Sequence, residues 1–297
     1  MYNYIQLDPR KTSEENPTFD LGVEITIPAL AGNKPNLDHH GVLEANSCAS
    51  MQALDCSLPE EGATLATLRP DLDSVTAMAV ITARKLGVGF RDDILGLVHD
   101  LERIDLEGPS AFEKIVPASR QVLREMGLVA ADVKLDLQTR VRTLVQFLSS
   151  DQVPTVLPEN YILSLIQKDD EELEIARASS SLELLEEGRA VFVKSTHRHA
   201  TRLGYELSPV VIAMNPAQPL LARQEDGTMK PTEESYVKYT ICRYSDQVPG
   251  RFEEMMQEFQ RLEKGWGGRT SIFGSPQNQS STLTQEEVIA VVLKYLK

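Results

Sequence analysis

Five histidines occur among the 297 residues, and two of them stand side by side behind an aspartate, in Asp38-His39-His40. A second acidic motif, Asp71-Leu72-Asp73-Ser74, opens an apolar run further along. Several carboxylates with a few imidazoles form a donor set suited to Mn²⁺ or Mg²⁺ rather than to a structural zinc. Two such ions would clamp a phosphoryl group and activate a water for attack on phosphorus. Each motif also has a plainer reading. Asp71 is well placed as a helix N-cap, worth about 1 kcal/mol, with Asp73 near the positive helix end. Asp38-His39-His40 on its own is an ordinary polar turn. Taken together, each behind a strand-like run, the two motifs favour cation binding, because clustered acids and imidazoles are costly without compensating charge.

Such groups can converge only if the fold brings their turns together, as happens at the carboxyl ends of strands in α/β sheets. Val23, Ile25, Ile27 and Ala29 alternate with more polar neighbours, which predicts a strand over Gly22 to Leu30. Gly32, Asn33, Pro35 and Asn36 break it. A short helix is expected from near Ser47 to Leu54, and a second short segment over Ala63 to Leu68. From Asp71 to about Leu86, Val75, Met78 and Ala79 recur at helical spacing. Arg91 to Lys168 reads as mainly helical, and Tyr161 to Glu187 as one acidic helix. Beyond Gly188, β-rich runs lie at Ala190–Val193, Val210–Ala213 and Tyr236–Ile241. A helix over Arg251 to Leu262, a Gly- and Ser-rich loop from Gly265 to Ser281, and a last helix follow. Thr284 and Glu287 have the spacing of a capping box for that last helix. The expected class is α/β: a parallel-sheet N-terminal domain over residues 1–150, a helical linker over 151–187, and a smaller α/β domain over 188–297.

Thirty Lys and Arg against 44 Asp and Glu leave a net charge of −14. That excess argues against coating long nucleic acid, which needs many cations against phosphates. It leaves compact anions open, in a local basic pocket. No apolar stretch approaches the roughly 18 residues that span a bilayer, and Met1 to Asn16 lacks the apolar core of a secretory signal. Cys48, Cys56 and Cys242 show no metal-like spacing, and their odd number suits reduced thiols. The expectation is a cytoplasmic protein with no membrane partner.

Three further groups bear on phosphate chemistry. His197-Arg198-His199, with Arg202 nearby, supplies cationic donors, although an exposed strand end explains it equally well. His99-Asp100 is a doublet of the sort found in HD phosphohydrolases, but the other ligands that arrangement needs are lacking on neighbouring helices. In the C-terminal loop, Gly265, Gly267, Gly268 and Gly274 allow close backbone approach, so that amide groups with Arg269 and Ser275 could cradle an anion. Trp266, the only tryptophan, could pin that loop or stack on a base.

Asp38-His39-His40, Arg69-Pro70-Asp71-Leu72-Asp73-Ser74 and Gly265-Trp266-Gly267-Gly268-Arg269 with Gly274-Ser275 together resemble the DHH phosphoesterase superfamily and its attached glycine-rich substrate-binding domain. The resemblance covers both ends of the chain and implies Asp38, His39, Asp71 and Asp73 as metal ligands. His40 would be a ligand or a catalytic neighbour beside Asp73, and Asp100 the isolated further ligand. Substrate would be held by Arg69, His197, His199, Gly267, Gly268, Arg269 and Ser275. The motif order departs from the family's, with Asp38-His39-His40 first. Thr67 and Arg269 stand where the family often has His. The implied activity is Mn²⁺-dependent hydrolysis (Mg²⁺ as the other option) of a short oligonucleotide, dinucleotide or nucleotide phosphate. A homodimer is compatible with it. The alternative is a non-catalytic nucleotide-binding protein of the same fold with degenerate metal ligation.

Overall fold

The run Asp73 to Ala83 is buried throughout, polar residues included, and it becomes the central helix of the first half of the chain. The computed structural model describes residues 1–38, 47–107, 111, 114–150, 154–223, 229–244 and 248–296. Among these, the chain divides into two units, one of Met1–Leu106 with Ala111–Lys168 and one built on Asp169–Lys297.

In the first unit, strands β1 (Asn3–Gln6), β2 (Leu21–Val23), β3 (Asn36–Leu37) and β4 (Thr64–Thr67) pair in parallel in the order β1-β4-β2-β3. Helices α1 (Pro28–Ala31) and α2 (Ala49–Asp55) lie between strands in sequence, and α3 (Leu72–Leu86) follows β4. Then come α4 (Ile94–Glu107), α5 (Pro117–Ala131) and α6 (Leu137–Ser149). Helix α3 starts on a capping box, in which Asp71 accepts from the Ser74 amide while the Ser74 hydroxyl accepts from the Asp71 amide. It stops at Gly87, whose φ of 64° allows a left-handed cap that closes on Ala83 and Arg84. α3 is covered on every side, since every residue from Asp73 to Ala83 is buried: Val75, Met78, Val80 and Ile81 share one core with Leu65, Leu97 and Leu144.

The strand expected over Gly22 to Leu30 is much shorter. β2 ends at Val23, where Glu24 takes φ 54°, and Pro28 opens α1 at a position that needs no amide donor. The apolar alternation was real but served another surface. Ile25 and Leu30 pack with Leu7, Phe19 and Ala66 in a separate cluster.

The boundary between the units falls within α7 (Tyr161–Ser179). The acidic helix expected to run to Glu187 ends at Ser179, and Ser181–Leu185 forms β5 against β6 (Ala190–Lys194). Helix α8 (Ala200–Tyr205) precedes the long hairpin β7 (Val210–Arg223) and β8 (Met229–Arg243). After α9 (Phe252–Leu262) come β9 (Gly267–Arg269), β10 (Ile272–Gly274) and α10 (Gln285–Tyr295). The six strands run β5-β6-β7-β8-β10-β9, parallel between β6 and β7 and antiparallel elsewhere. One face packs Ile212, Ile241 and Phe273 against Phe259 and Val292 of α9 and α10. The other carries α8, where Gly204 is obligatory: a Cβ there would lie 2.5 Å from Val211. The Thr284–Glu287 capping box expected for α10 is formed.

Glu263 ties the glycine-rich segment to this core. Its buried carboxylate accepts from Trp266 Nε1 (2.7 Å), Ser281 Oγ (2.7 Å), the Thr282 amide (2.6 Å) and Thr282 Oγ1 (2.9 Å). Trp266 in turn stacks on Phe259 with centroids 4.1 Å apart. Burial pushes the Glu263 carboxyl up, but these donors outweigh it and hold the carboxyl below its ordinary value of 4.5. A depressed carboxyl contributes stability that is present above the unfolded value and lost as pH falls through the folded one. Acid titration followed by the fluorescence of the sole tryptophan should therefore show Trp266 released below pH 4.5. Glu263→Gln should cost about 2–3 kcal/mol and remove that acid step; an unchanged midpoint and acid profile would contradict the assignment.

Candidate functional site

All four parallel strands of the first unit end at one edge, and the acids gather there. β2 hands over directly to Glu24 and β3 to Asp38, while β4 ends at Thr67 and leads through Arg69-Pro70 into α3. The strand ends are laced together: the Glu24 amide donates to Leu37 O at 2.8 Å, and Asn36 bonds both backbone groups of Ile25 at 3.2 Å. Asn36 Nδ2 also reaches Asp38 Oδ2 at 3.4 Å. Glu24 and Asp38 are both buried.

Asp73 enters from the first turn of α3. Its carboxylate accepts from the Ala49 amide (2.7 Å), the Ser50 amide (2.9 Å) and the Ser50 hydroxyl, so it caps α2, whose own N-cap, Cys48, makes no side-chain capping bond. Of roughly four lone-pair directions on a carboxylate, these donors use three. Asp105, from α4, completes the group: one carboxylate oxygen from each of Glu24, Asp73 and Asp105 lies within 4.8 Å of the others. Burial raises the Asp73 carboxyl well above the ordinary range, and the Asp105 carboxylate raises it further. Burial also pushes the adjacent Cys48 thiol up, with Asp73 adding to the effect, so this cysteine is an inert thiol rather than a nucleophile.

Three carboxylate oxygens on one spot repel each other at low dielectric, and a hard divalent cation relieves that repulsion. The donor set fits Mg²⁺ or Mn²⁺, which take oxygen ligands and complete their shells with water.

The residues singled out from sequence fall unevenly around this point. Asp73 is in the group. Asp38 occupies the neighbouring strand end. Asp71 is the α3 cap, with its Oδ1 on the Ser74 amide at 3.0 Å, and is not one of the three in the group. Asp100 lies on α4 with Asp105, but five residues earlier is about 140° round the helix, and its carboxylate instead meets Arg103 at 3.7 Å. Arg69 is exposed, and its carbonyl receives the Ser74 hydroxyl at 2.9 Å. His39 and His40 lie outside the described residues. Glu24 and Asp105 escaped sequence reading. Glu24 looked like the polar partner in an alternating strand, and Asp105 like one of several charges on an amphipathic helix. Had the strand been ended at Val23, Glu24 would have stood out as the residue at its carboxyl end.

The second unit holds a separate polar cleft of about 330 Å³. His197 and Arg198, from the turn after β6, line it with Lys238 and Thr240 of β8 and with Asn215 and Gln218 of β7. His197 and His199 lie beyond β6, with His199 as the N-cap of α8. Their rings stack with centroids 5.3 Å apart, and the His199 amide donates to His197 Nδ1 at 3.2 Å. Arg198 is paired with Glu172, and His199 Nε2 lies 3.5 Å from the same carboxylate. Burial lowers the His199 pKa, with Arg198 and Arg202 lowering it further, so the imidazole is neutral at pH 7.

Lys238 is the residue that joins this cleft to the glycine motif. Its Nζ lies beside Gly274, where a Cβ would sit 2.6 Å from Tyr239 O, and it donates to Ser275 O. Burial lowers its pKa. The motif itself is built differently from the anion-cradling loop expected. Gly267, Gly268 and Arg269 form β9 and pair with β10, where Gly268 at φ 140° passes so close that a Cβ would lie 2.4 Å from Ile272 O. Arg269 is exposed at the end of that strand. The Ser275 hydroxyl is buried and accepts from the Tyr239 amide at 2.9 Å.

The sequence matches no protein-family model and no curated protein. Among the described residues, no helix is long and apolar enough to cross a membrane.

Asp71→Ala should lower stability by about 1 kcal/mol, as loss of an N-cap does, and leave Mn²⁺ affinity unchanged in a calorimetric titration. A large loss of affinity would return Asp71 to the ligand set.

Proposed function

We propose that the protein is a divalent-metal-dependent phosphoesterase acting on a small phosphorylated substrate, such as a short oligonucleotide, a dinucleotide or a nucleotide phosphate. The observation that carries this reading is the convergence of Glu24, Asp73 and Asp105 at the carboxyl edge of a parallel sheet. When bound, the cation would supply Lewis-acid stabilisation of a phosphoryl group and make water a better nucleophile near neutral pH.

The chain's own residues set the conditions for that chemistry. Asp73 is held rigid by the amides of α2, so its remaining lone pair keeps one direction. The edge is lined by buried groups, which strengthens every charge interaction made there. Asp38 adds a fourth acid beside the triad, and the resemblance to DHH phosphoesterases would add the imidazoles of His39 and His40. Within the second unit, the cleft lined by Lys238, Arg198 and His197, with Asn215, Gln218 and Thr240 as neutral donors and acceptors, has by itself the chemistry for an anion. A cleft of this kind takes a compact anion and has no room for a duplex, in keeping with the net charge of −14.

One observation favours a second reading, a nucleotide-binding protein without turnover. Asp71 is engaged in capping, and Thr67, where the family often has His, turns its hydroxyl to Arg69 O at 3.3 Å.

The test is hydrolysis of bis(p-nitrophenyl) phosphate and of dinucleotides with Mn²⁺, Mg²⁺ or chelator. Turnover should require the cation. Asp105→Asn should reduce it at least about a hundredfold without loss of fold. Nucleotide binding without turnover under any metal would favour the second reading.

A further inference from the structure

A larger cleft, about 630 Å³, lies at the other end of the same parallel sheet, where Asp20 and Leu21 start β2, Pro35 precedes β3 and Ala63 precedes β4. Its volume is that of a small-molecule site. Leu21, Leu37, Leu58 and Pro59 give it apolar walls, while Asp20, Glu60 and Glu61 carry carboxylates onto it. No lysine, arginine or histidine is among the described residues that line it.

The walls are fixed before any ligand arrives. Tyr2 donates through its hydroxyl to Pro59 O at 2.9 Å, and Asn3 Nδ2 donates to Gly62 O at 3.0 Å. The Thr64 amide donates to Asp20 Oδ2 at 2.7 Å, and Arg84 holds Cys56 O at 2.9 Å. The loop carrying Glu60 and Glu61 is thereby clamped to β1, β4 and α3.

We propose that this cleft binds an aliphatic polyamine. The chemistry demands a ligand that is cationic at more than one point and apolar between those points. A small hard cation would use the carboxylates but gain nothing from leucine and proline walls. An uncharged hydrocarbon would leave the acids without counter-charges. A chain of methylenes between ammonium groups meets both demands, as lysine side chains do when they lay their stems on apolar surface and keep the charge in water. The site is distinct from the Glu24–Asp73–Asp105 group and does not depend on the function proposed for it.

Isothermal titration of the full chain with spermidine at about 0.15 M salt tests this, since diffuse attraction to an acidic surface is largely screened there. One saturable site is expected, weakened about tenfold or more by Glu60→Gln with Glu61→Gln and also by Leu58→Ser. Asp105→Asn and Glu171→Gln, the latter on α7, should leave it unchanged. Magnesium should not compete at equal ionic strength. Absence of saturable binding, equal loss with Glu171→Gln, or full displacement by Mg²⁺ would each overturn the proposal. Loss with Asp105→Asn alone would place the polyamine at the acidic triad and overturn it as well.

Discussion

The carboxylate of Asp73 is the constraint on which the first unit turns. It begins the central helix, yet its oxygens serve the first amides of α2, so it fixes one helix start against another beneath the edge of the sheet. A buried charge is tolerated only when it is satisfied, and hydrogen bonds from Ala49 and Ser50 reach both oxygens of this one. Glu24 and Asp105 each add a carboxylate oxygen within 4.8 Å. A core that needed only an anchor for α2 would not bring two further carboxylates to the same oxygens. The structural role and the proposed metal role are therefore compatible: the hydrogen bonds position the ligand, and a cation would settle the electrostatics.

Glu24 shows how backbone geometry feeds that site. Its positive φ ends β2, turns the chain toward α1 and leaves its side chain beside Asp73 and Asp105. Non-glycine residues hold such dihedrals only where surrounding structure over-determines them, and here the bonds from the Glu24 amide to Leu37 and from Asn36 to Ile25 do so. The same break is what hid Glu24 from sequence reading.

Much of the architecture was legible in the order of apolar runs. α3, α9 and α10 announce themselves through helical spacing and caps, and the α/β class follows from strand-like runs ending in acid-bearing turns. Short strands were the difficulty. β1, β2 and β3 hold only two to four residues each, too few for alternation to bound them, and β5 was absorbed into an acidic helix because Glu183, Glu186 and Glu187 continue its charge pattern. Within the site, Asp73 could be picked out because it sits in a motif. Asp105 could not, since nothing local distinguishes it from Asp100; only the packing of α4 decides which of the two faces the sheet edge. The C-terminal glycines were rightly noticed, but for steric reasons: Gly268 and Gly274 allow neighbouring strands to pass closely, while Glu263 and Trp266 do the anchoring.

The central claim is that Glu24, Asp73 and Asp105 form one cation site, and anomalous diffraction from a crystal soaked in Mn²⁺ addresses it most directly. The account predicts an anomalous peak within ordinary oxygen-ligand distance, about 2.0–2.6 Å, of a carboxylate oxygen from each of the three residues. Anomalous density elsewhere on the acidic surface with none at this point, or a soaked crystal with no peak at all, would contradict it.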